Sequence, residues 1–198
     1  MKGRSMQPKI ILASSSPFRK ELLARLNLDF ECHSPEIDES QLMDETATDY
    51  VCRLAKEKAQ LISKNHPSAI VIGSDQCALR DGQILGKPGN HTNAMQQLKA
   101  AQGKTVVFHT GLCVVQQDTR FCEVDEVLYQ VKFRTLHDAQ LAHYLEVEKP
   151  YQCAGSFKSE GYGCCLFSSM QGDDPSALIG LPLIRLVTML ENLGVNVV

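Results

Sequence analysis

The chain has 198 residues, 43% of them hydrophobic and 22% charged, with a formal net charge of −3. That length suits one domain, or two small lobes around a cleft, with enough buried surface for a sizeable core. The balance excludes the basic surface of a nucleic-acid binder, so a polyanionic ligand has to be met by a local cluster of Lys and Arg. No apolar run approaches the ~20 residues of a membrane span. Lys2 and Arg4 are followed by no apolar segment before Pro8, which argues against a secretory signal. Residues 1–8 read as a flexible extension of the 1–198 domain, with Met6 as an alternative start. The eight cysteines form no C-x-x-C and no zinc-like Cys/His spacing. They read as reduced thiols in a cytoplasmic protein, most of them packed as small apolar residues.

Lys9 to Ala13 reads as a buried strand. Ser14-Ser15-Ser16-Pro17 follows, with Ser as N-cap and Pro at the first helical position. A helix is predicted from about Pro17 to Leu26, with Leu22, Leu23 and Leu26 on its core face. A strand, a serine turn and a helix N-terminus together point hydroxyls and backbone N–H groups at one spot, which suits an anion. Phe30 to Cys32 reads as a short strand, and Ser34 to Glu39 as an acidic loop. Thr46 to Asp49 caps a long helix through about Asn65, with Val51, Leu54, Ala55, Lys58, Ala59 and Ile62 at helical spacing.

The next strand starts at Ile70, passes Gly73 and ends by presenting Ser74, Asp75 and Gln76. In open α/β sheets ligands sit at that end of a strand. Asp81-Gly82 signals a hairpin between Cys77–Leu79 and Gln83–Leu85. A helix is predicted from about Thr92 to Ala101. Thr105–Gln117 and Glu123–Phe133 read as an antiparallel pair, and Ala139–Val147 as a helix. Residues 151–180 read as an irregular glycine-rich segment, a type that is usually functional when it lies inside a compact domain. On an alternating strand the vicinal Cys164 and Cys165 face opposite sides. Pro182 opens the last helix, which ends at Gly194. The fold class is α/β, in the mixed α+β sense: a mixed sheet with flanking helices.

Asp75 is the leading catalytic candidate, because a carboxylate on an apolar strand is costly unless it is paired or metal-bound. There it can hold a metal ion or take a proton from water. Arg19, Lys58, Lys87 and Lys158 are the cations available for phosphates. Arg19 stands in a first helical turn, where a cation opposes the macrodipole. Lys87 lies in the turn Gly86-Lys87-Pro88, which is not a P-loop. Asp38, Glu39 and Glu57 are further acids, and a loop acid such as Asp38 or Glu39 is normally just solvated. Hard oxygen ligands suit Mg²⁺ or Mn²⁺ bound jointly with substrate phosphates, and cleavage of a phosphoanhydride by water needs little more.

Eight stretches occur together: Leu12–Arg19, Glu36–Glu39, Arg53–Ala59, Ile72–Gln76, Gly86–Pro88, Thr110–Leu112, Ala154–Gly161 and Ile179–Pro182. In order and spacing they resemble the Maf family of nucleoside triphosphate pyrophosphatases, over nearly the whole chain. The resemblance implies an elongated α/β fold like that of inosine triphosphatases, with two lobes around a central cleft, and often a homodimer. It implies hydrolysis of a nucleoside triphosphate to the monophosphate and pyrophosphate with a divalent cation. By position it makes Asp75 the proton acceptor and Glu39 a metal-associated acid beside it. Ser14, Ser16, Arg19, Lys58, Lys87 and Lys158 become phosphate-facing groups.

Phe18, Gln76 and Glu160 resemble the branch that acts on 7-methyl-GTP. A methylated guanine is cationic, so an aromatic face at Phe18 attracts it. Glu160 complements its charge, and Gln76 can donate or accept. That branch more often carries Trp at position 18, and Phe is the weaker π donor. Two other expectations compete: a pyrimidine (dTTP/UTP) or broad-range pyrophosphatase, and a nucleotide-binding regulator of septum formation with little catalysis. Neither nucleic acid nor a membrane is expected as a partner.

Overall fold

The computed structural model describes residues 8–198. The extension expected over residues 1–8 therefore lies, but for Pro8, outside the described residues. The elements in chain order are β1 (Ile10–Ala13), α1 (Pro17–Ala24), β2 (Phe30–His33), α2 (Ala47–Ser63), β3 (Ile70–Arg80) and β4 (Gln83–Leu85). Then come α3 (His91–Ala101), β5 (Thr105–Gln116), β6 (Phe121–Phe133), α4 (Asp138–Glu148), β7 (Phe167–Gln171), α5 (Pro175–Ile179) and α6 (Leu183–Asn192). Seven strands form one sheet in the order β2-β1-β3-β5-β6-β7, with β4 attached to β3. β1 runs parallel to β2 and β3, and the other pairings are antiparallel. The mixed α/β class expected from the sequence is the one observed.

Side chains alternate across β3. Ile70 and Ile72 pack with Leu22 and Leu23 of α1 and Leu186 and Leu190 of α6. Val71 faces the other way, onto Ala55 and Ala59 of α2. Two glycines set how close α2 comes. A Cβ at Gly73 would lie 2.1 Å from the Ala55 carbonyl oxygen, and one at Gly111 would lie 2.3 Å from that of Val51. The helix backbone thus rests directly on β3 and β5, where no larger residue fits. A second cluster gathers around the far half of β3. There Ala78, Phe108 and Val131 meet Leu98 of α3 and Leu141 and Leu145 of α4. Phe157 makes edge-to-face contacts with Phe108, Phe133 and Phe167 in the same cluster.

The strand carrying Asp75 does not end there, contrary to the sequence expectation. β3 continues to Arg80, and β5 pairs with it from Val71 to Leu79. The break lies on its other edge. β1 leaves after the pair Ala13–Gly73, and β4 joins only at Ala78–Leu85. Between them Ser74–Cys77 has no strand neighbour on that edge among the described residues, and the sheet opens. Residues 151–180 are also more ordered than expected: they contain β7, α5 and short 3-10 turns at Ala154–Ser156 and Tyr162–Leu166. Cys164 and Cys165 lie in the second of these turns rather than on a strand, and all eight cysteines are free thiols. Among the described residues no helix is long and apolar enough to cross a membrane.

Candidate active site

The gap beside Ser74–Cys77 opens into a cleft of about 670 Å³. Every residue to which the family resemblance gives a role lines it: Ser14, Ser16, Phe18, Arg19, Glu39, Lys58, Asp75, Gln76, Lys87, Lys158 and Glu160. Asp38 and Glu57 do not. Asp38 accepts from the Ser40 N–H in its own loop, and Glu57 pairs with Arg53.

Asp75 is on the face of β3 that meets α2, so the close seat of that helix brings Lys58 over it. The Lys58 ammonium lies 2.6 Å from Asp75 Oδ1 and 2.6 Å from Glu39 Oε1. Lys58 and Asp75 are 5% and 8% exposed, so this charge pair is held out of water, whereas Glu39 reaches it from the surface. Partial burial pushes the Glu39 carboxyl up. The hydrogen bond and charge of Lys58, backed by Lys87 and Arg19, outweigh that and hold it below the ordinary carboxylate range.

The acidic loop is tied to α2 by residues that the sequence reading assigned no role. Tyr50 donates its hydroxyl to the Glu39 carbonyl at 2.9 Å. Arg53 grips both oxygens of Glu45, at 2.6 and 2.8 Å, and reaches the Ser40 carbonyl at 3.1 Å. The i,i+4 spacing of Arg53 and Glu57 is visible in the sequence. The Glu45 and Tyr50 contacts are made by the loop's return path and are not.

Three of the four expected phosphate cations have protein partners. Lys58 bridges the two acids. Arg19 Nε donates to the Gly180 carbonyl at 2.8 Å, and burial draws its pKa down against the pull of Asp75 and Glu39. Lys158 Nζ lies 3.2 Å from the Glu148 side chain and 3.2 Å from its carbonyl. Lys87 stands exposed in its turn. Ser16 caps α1 by accepting from the Arg19 N–H, and the buried Ser14 hydroxyl accepts from the Ser16 N–H at 3.1 Å. A hydroxyl that accepts still has its own proton to donate, so both serines can bind an anion without giving up the cap.

Ser74 and Gln76 face the opposite side of the sheet, toward α5. The Gln76 amide nitrogen donates to Ala177 O at 2.7 Å, Leu178 O at 3.1 Å and Thr110 Oγ1 at 3.0 Å. Thr110 donates to the same Ala177 carbonyl at 2.9 Å. Ser74 Oγ sits 2.8 Å from Gly111 O and 2.9 Å from Gly180 O. Buried Asp174 fixes α5 by accepting from the Ser176 N–H and joins it to α6 by accepting from the Ile184 N–H. With its NH₂ spent, Gln76 has Oε1 left for a ligand, so it can accept but not donate. Cys77 is buried beside Asp75, and burial pushes its thiol up to about 12, which leaves it unreactive at neutral pH.

Two carboxylates, Asp75 and Glu39, converge on one cation, that of Lys58. This hard-oxygen donor pair fits a divalent ion whose remaining positions go to water and phosphate oxygens. Among the described residues no group of three or more His, Cys, Asp or Glu forms a closed metal cage.

The fold is a mixed α/β fold shared with Ham1 proteins. The Staphylococcus aureus Ham1 protein superposes with a TM-score of 0.55 over 93% of this chain and 98% of its own, at 12% identity. A HAM1 protein from Coxiella burnetii gives 0.51 over 93% and 99%, also at 12%. Within that fold the chain belongs to the Maf family: the family described as "Maf-like protein" matches residues 9–193. A relative from Methylobacillus flagellatus, named 7-methyl-GTP pyrophosphatase, is 53% identical over 96% of this chain and 100% of its own. One of the same name from Nitrosococcus oceani is 54% identical over 94% of each.

Proposed function

We propose that the cleft hydrolyses the α–β phosphoanhydride of a nucleoside triphosphate, releasing a monophosphate and pyrophosphate, and that 7-methyl-GTP is its substrate. The observation that carries the chemistry is the buried Asp75–Lys58 pair, with Glu39 closing on it, inside a cleft that also holds Arg19, Lys87 and Lys158. The names of the full-length relatives support the choice of base.

Lys58 occupies Asp75 Oδ1, so Oδ2 is the oxygen that takes the proton from water. The resulting hydroxide attacks phosphorus at the α–β bridge, and the P–O bond to pyrophosphate breaks. A divalent ion held by Glu39 and Asp75 would neutralise phosphate charge and align the water. Ser14 and Ser16 donate to phosphate oxygens from the rigid turn before α1. Arg19, Lys58, Lys87 and Lys158 balance the charge that develops on the leaving group. Phe18 stacks on the cationic methylated guanine, Glu160 complements its charge, and Gln76 Oε1 accepts from a ring N–H or exocyclic amine. An acceptor-only Gln76 disfavours a base edge that offers only acceptors at that point. One domain, working in the cytoplasm with a homodimer as its assembly, completes the reading.

The test is pyrophosphate release from 7-methyl-GTP, GTP, UTP and dTTP, side by side, with Mg²⁺ or Mn²⁺. A strong preference for 7-methyl-GTP is expected, reduced toward GTP by Phe18→Ala. Preference for a pyrimidine would remove the base assignment and keep the phosphate chemistry. Tight binding without release from any of the four would remove both.

A further inference from the structure

Lys87 and Lys158 reach the cleft from irregular segments outside the sheet and the long helices, and α4 holds Lys158 through Tyr144 and Glu148. Lys87 sits in the turn after β4, and Lys158 follows the 3-10 turn Ala154–Ser156. We propose that Gln97, on α3, is a positioning residue that couples these two segments and so fixes the spacing of the two lysines. This rests on the phosphate-binding role given to them above.

The side-chain amide of Gln97 lies between the segments and uses one end on each. Its Oε1 accepts from the Ser156 hydroxyl at 2.5 Å, and its Nε2 donates to the Gly86 carbonyl at 3.1 Å. Gly86 immediately precedes Lys87, and Ser156 lies two residues before Lys158. The base of the bridge is also anchored, because Arg80 at the end of β3 donates to the Gln97 carbonyl at 3.4 Å. The bridge is therefore tied to the strand that carries Asp75.

Ser156 spends its buried hydroxyl on Gln97. The residue is fully buried and has φ +65°, directly after Gly155 at φ +72°. Glycine adopts that region freely and an L-residue does not. A serine in this conformation puts a hydroxyl against Gln97 at the cost of backbone ease. An amide is also the side chain that suits the junction, since it offers an acceptor and a donor side by side. A carboxylate at position 97 could still accept from Ser156 but would set an oxygen against the Gly86 carbonyl. A thioether of the same length would do neither. Two further bonds join the same region: Gly89 N–H to Tyr151 O at 2.9 Å, and Asn93 Nδ2 to Pro88 O at 2.9 Å. Loss of Gln97 should therefore loosen the spacing without unravelling the segments.

The experiment uses Gln97→Met, Ser156→Ala and their combination in the full chain, with steady-state kinetics on 7-methyl-GTP and amide hydrogen exchange. Small misplacement of binding groups costs up to about a hundredfold. The expected result is a ten- to hundredfold loss in kcat/KM for Gln97→Met. Amides of residues 86–89 and 155–160 should exchange faster together, with melting behaviour little changed. The double variant should be no worse than the poorer single, because the two side chains act as one unit. Gln97→Glu is the second variant should Gln97→Met fail to fold, and it should speed exchange at 86–89 alone. Unchanged kcat/KM, or faster exchange confined to α3, would overturn the proposal. If the native chain releases pyrophosphate from no triphosphate, the function reading falls, and the exchange pattern still decides whether Gln97 couples the segments.

Discussion

Asp75 and Gln76 are neighbours on one strand and line one cleft, but the sheet puts them in two different kinds of environment. Asp75 faces α2 and is held by charge: one ammonium shared with Glu39. Gln76 faces α5 and is held by neutral groups, the carbonyls of Ala177 and Leu178 and the hydroxyl of Thr110. An ionic network responds to protons, salt and added cations. A network of amide and carbonyl groups responds to none of these at ordinary pH. The difference suits a site in which one face does chemistry on phosphates while the other presents a fixed acceptor to a base.

The acid face should break most completely. Asp75→Asn removes the proton acceptor and keeps the shape, so turnover of 7-methyl-GTP should fall by about 10²–10⁴-fold. The circular dichroism spectrum should stay native. Near-native turnover with metal present would mean that another group takes the proton.

Lys58→Met is the next largest. It leaves Asp75 buried without its ammonium partner and beside the Glu39 carboxylate, and removing one partner of a buried pair costs roughly 3–5 kcal/mol. Denaturant unfolding should show that loss. Adding Asp75→Asn should restore most of the stability and none of the turnover. A Lys58→Met chain as stable as the native one would show that water reaches the pair.

The amide face should break more gently and more selectively. Gln76→Leu leaves the Leu178 carbonyl without its side-chain donor and the Ala177 carbonyl with Thr110 alone, a cost of about 1–3 kcal/mol in stability. It also deletes Oε1, so kcat/KM for 7-methyl-GTP should fall while hydrolysis of whatever poor substrates the cleft accepts changes less. Equal loss on every nucleotide would make Gln76 a scaffold for α5 rather than a reader of the base.

The sequence shows this contrast only in part. Asp75 stands out because a carboxylate on an apolar strand needs a reason to be there. The serine turn, the α2 stripe and the α3 helix followed local rules of capping and periodicity. The course of β3 did not. Polar Ser74, Asp75 and Gln76 look like a strand end, and the sheet gap that exposes them depends on where β1 and β4 stop. β7 shows no alternation in the sequence, because four of its five residues are exposed. Gly73 announces a close approach, but not that α2 is what approaches. The tethering of Lys158 by Glu148, ten residues back, depends on how α4 packs.

The smallest predicted effect separates the two faces by pH. The Glu39 carboxyl is held below its ordinary range, so between that value and the lower folded one the unfolded chain binds more protons than the native chain. The stability this group contributes is complete above about pH 4.3, the ordinary value, and disappears as pH falls through the folded pKa. Glu39 is largely exposed, and solvent screening limits the contribution to a few tenths of a kcal/mol. Glu39→Gln should therefore cost slightly in stability at pH 7 and progressively less at acid pH, by urea unfolding. Gln76→Leu should cost the same at both, because an amide does not titrate. A Glu39→Gln deficit that persists in acid would mean that the carboxylate gains nothing from Lys58 in solution. The acid face would then rest on the Asp75–Lys58 pair alone, with Glu39 left unengaged for a divalent ion.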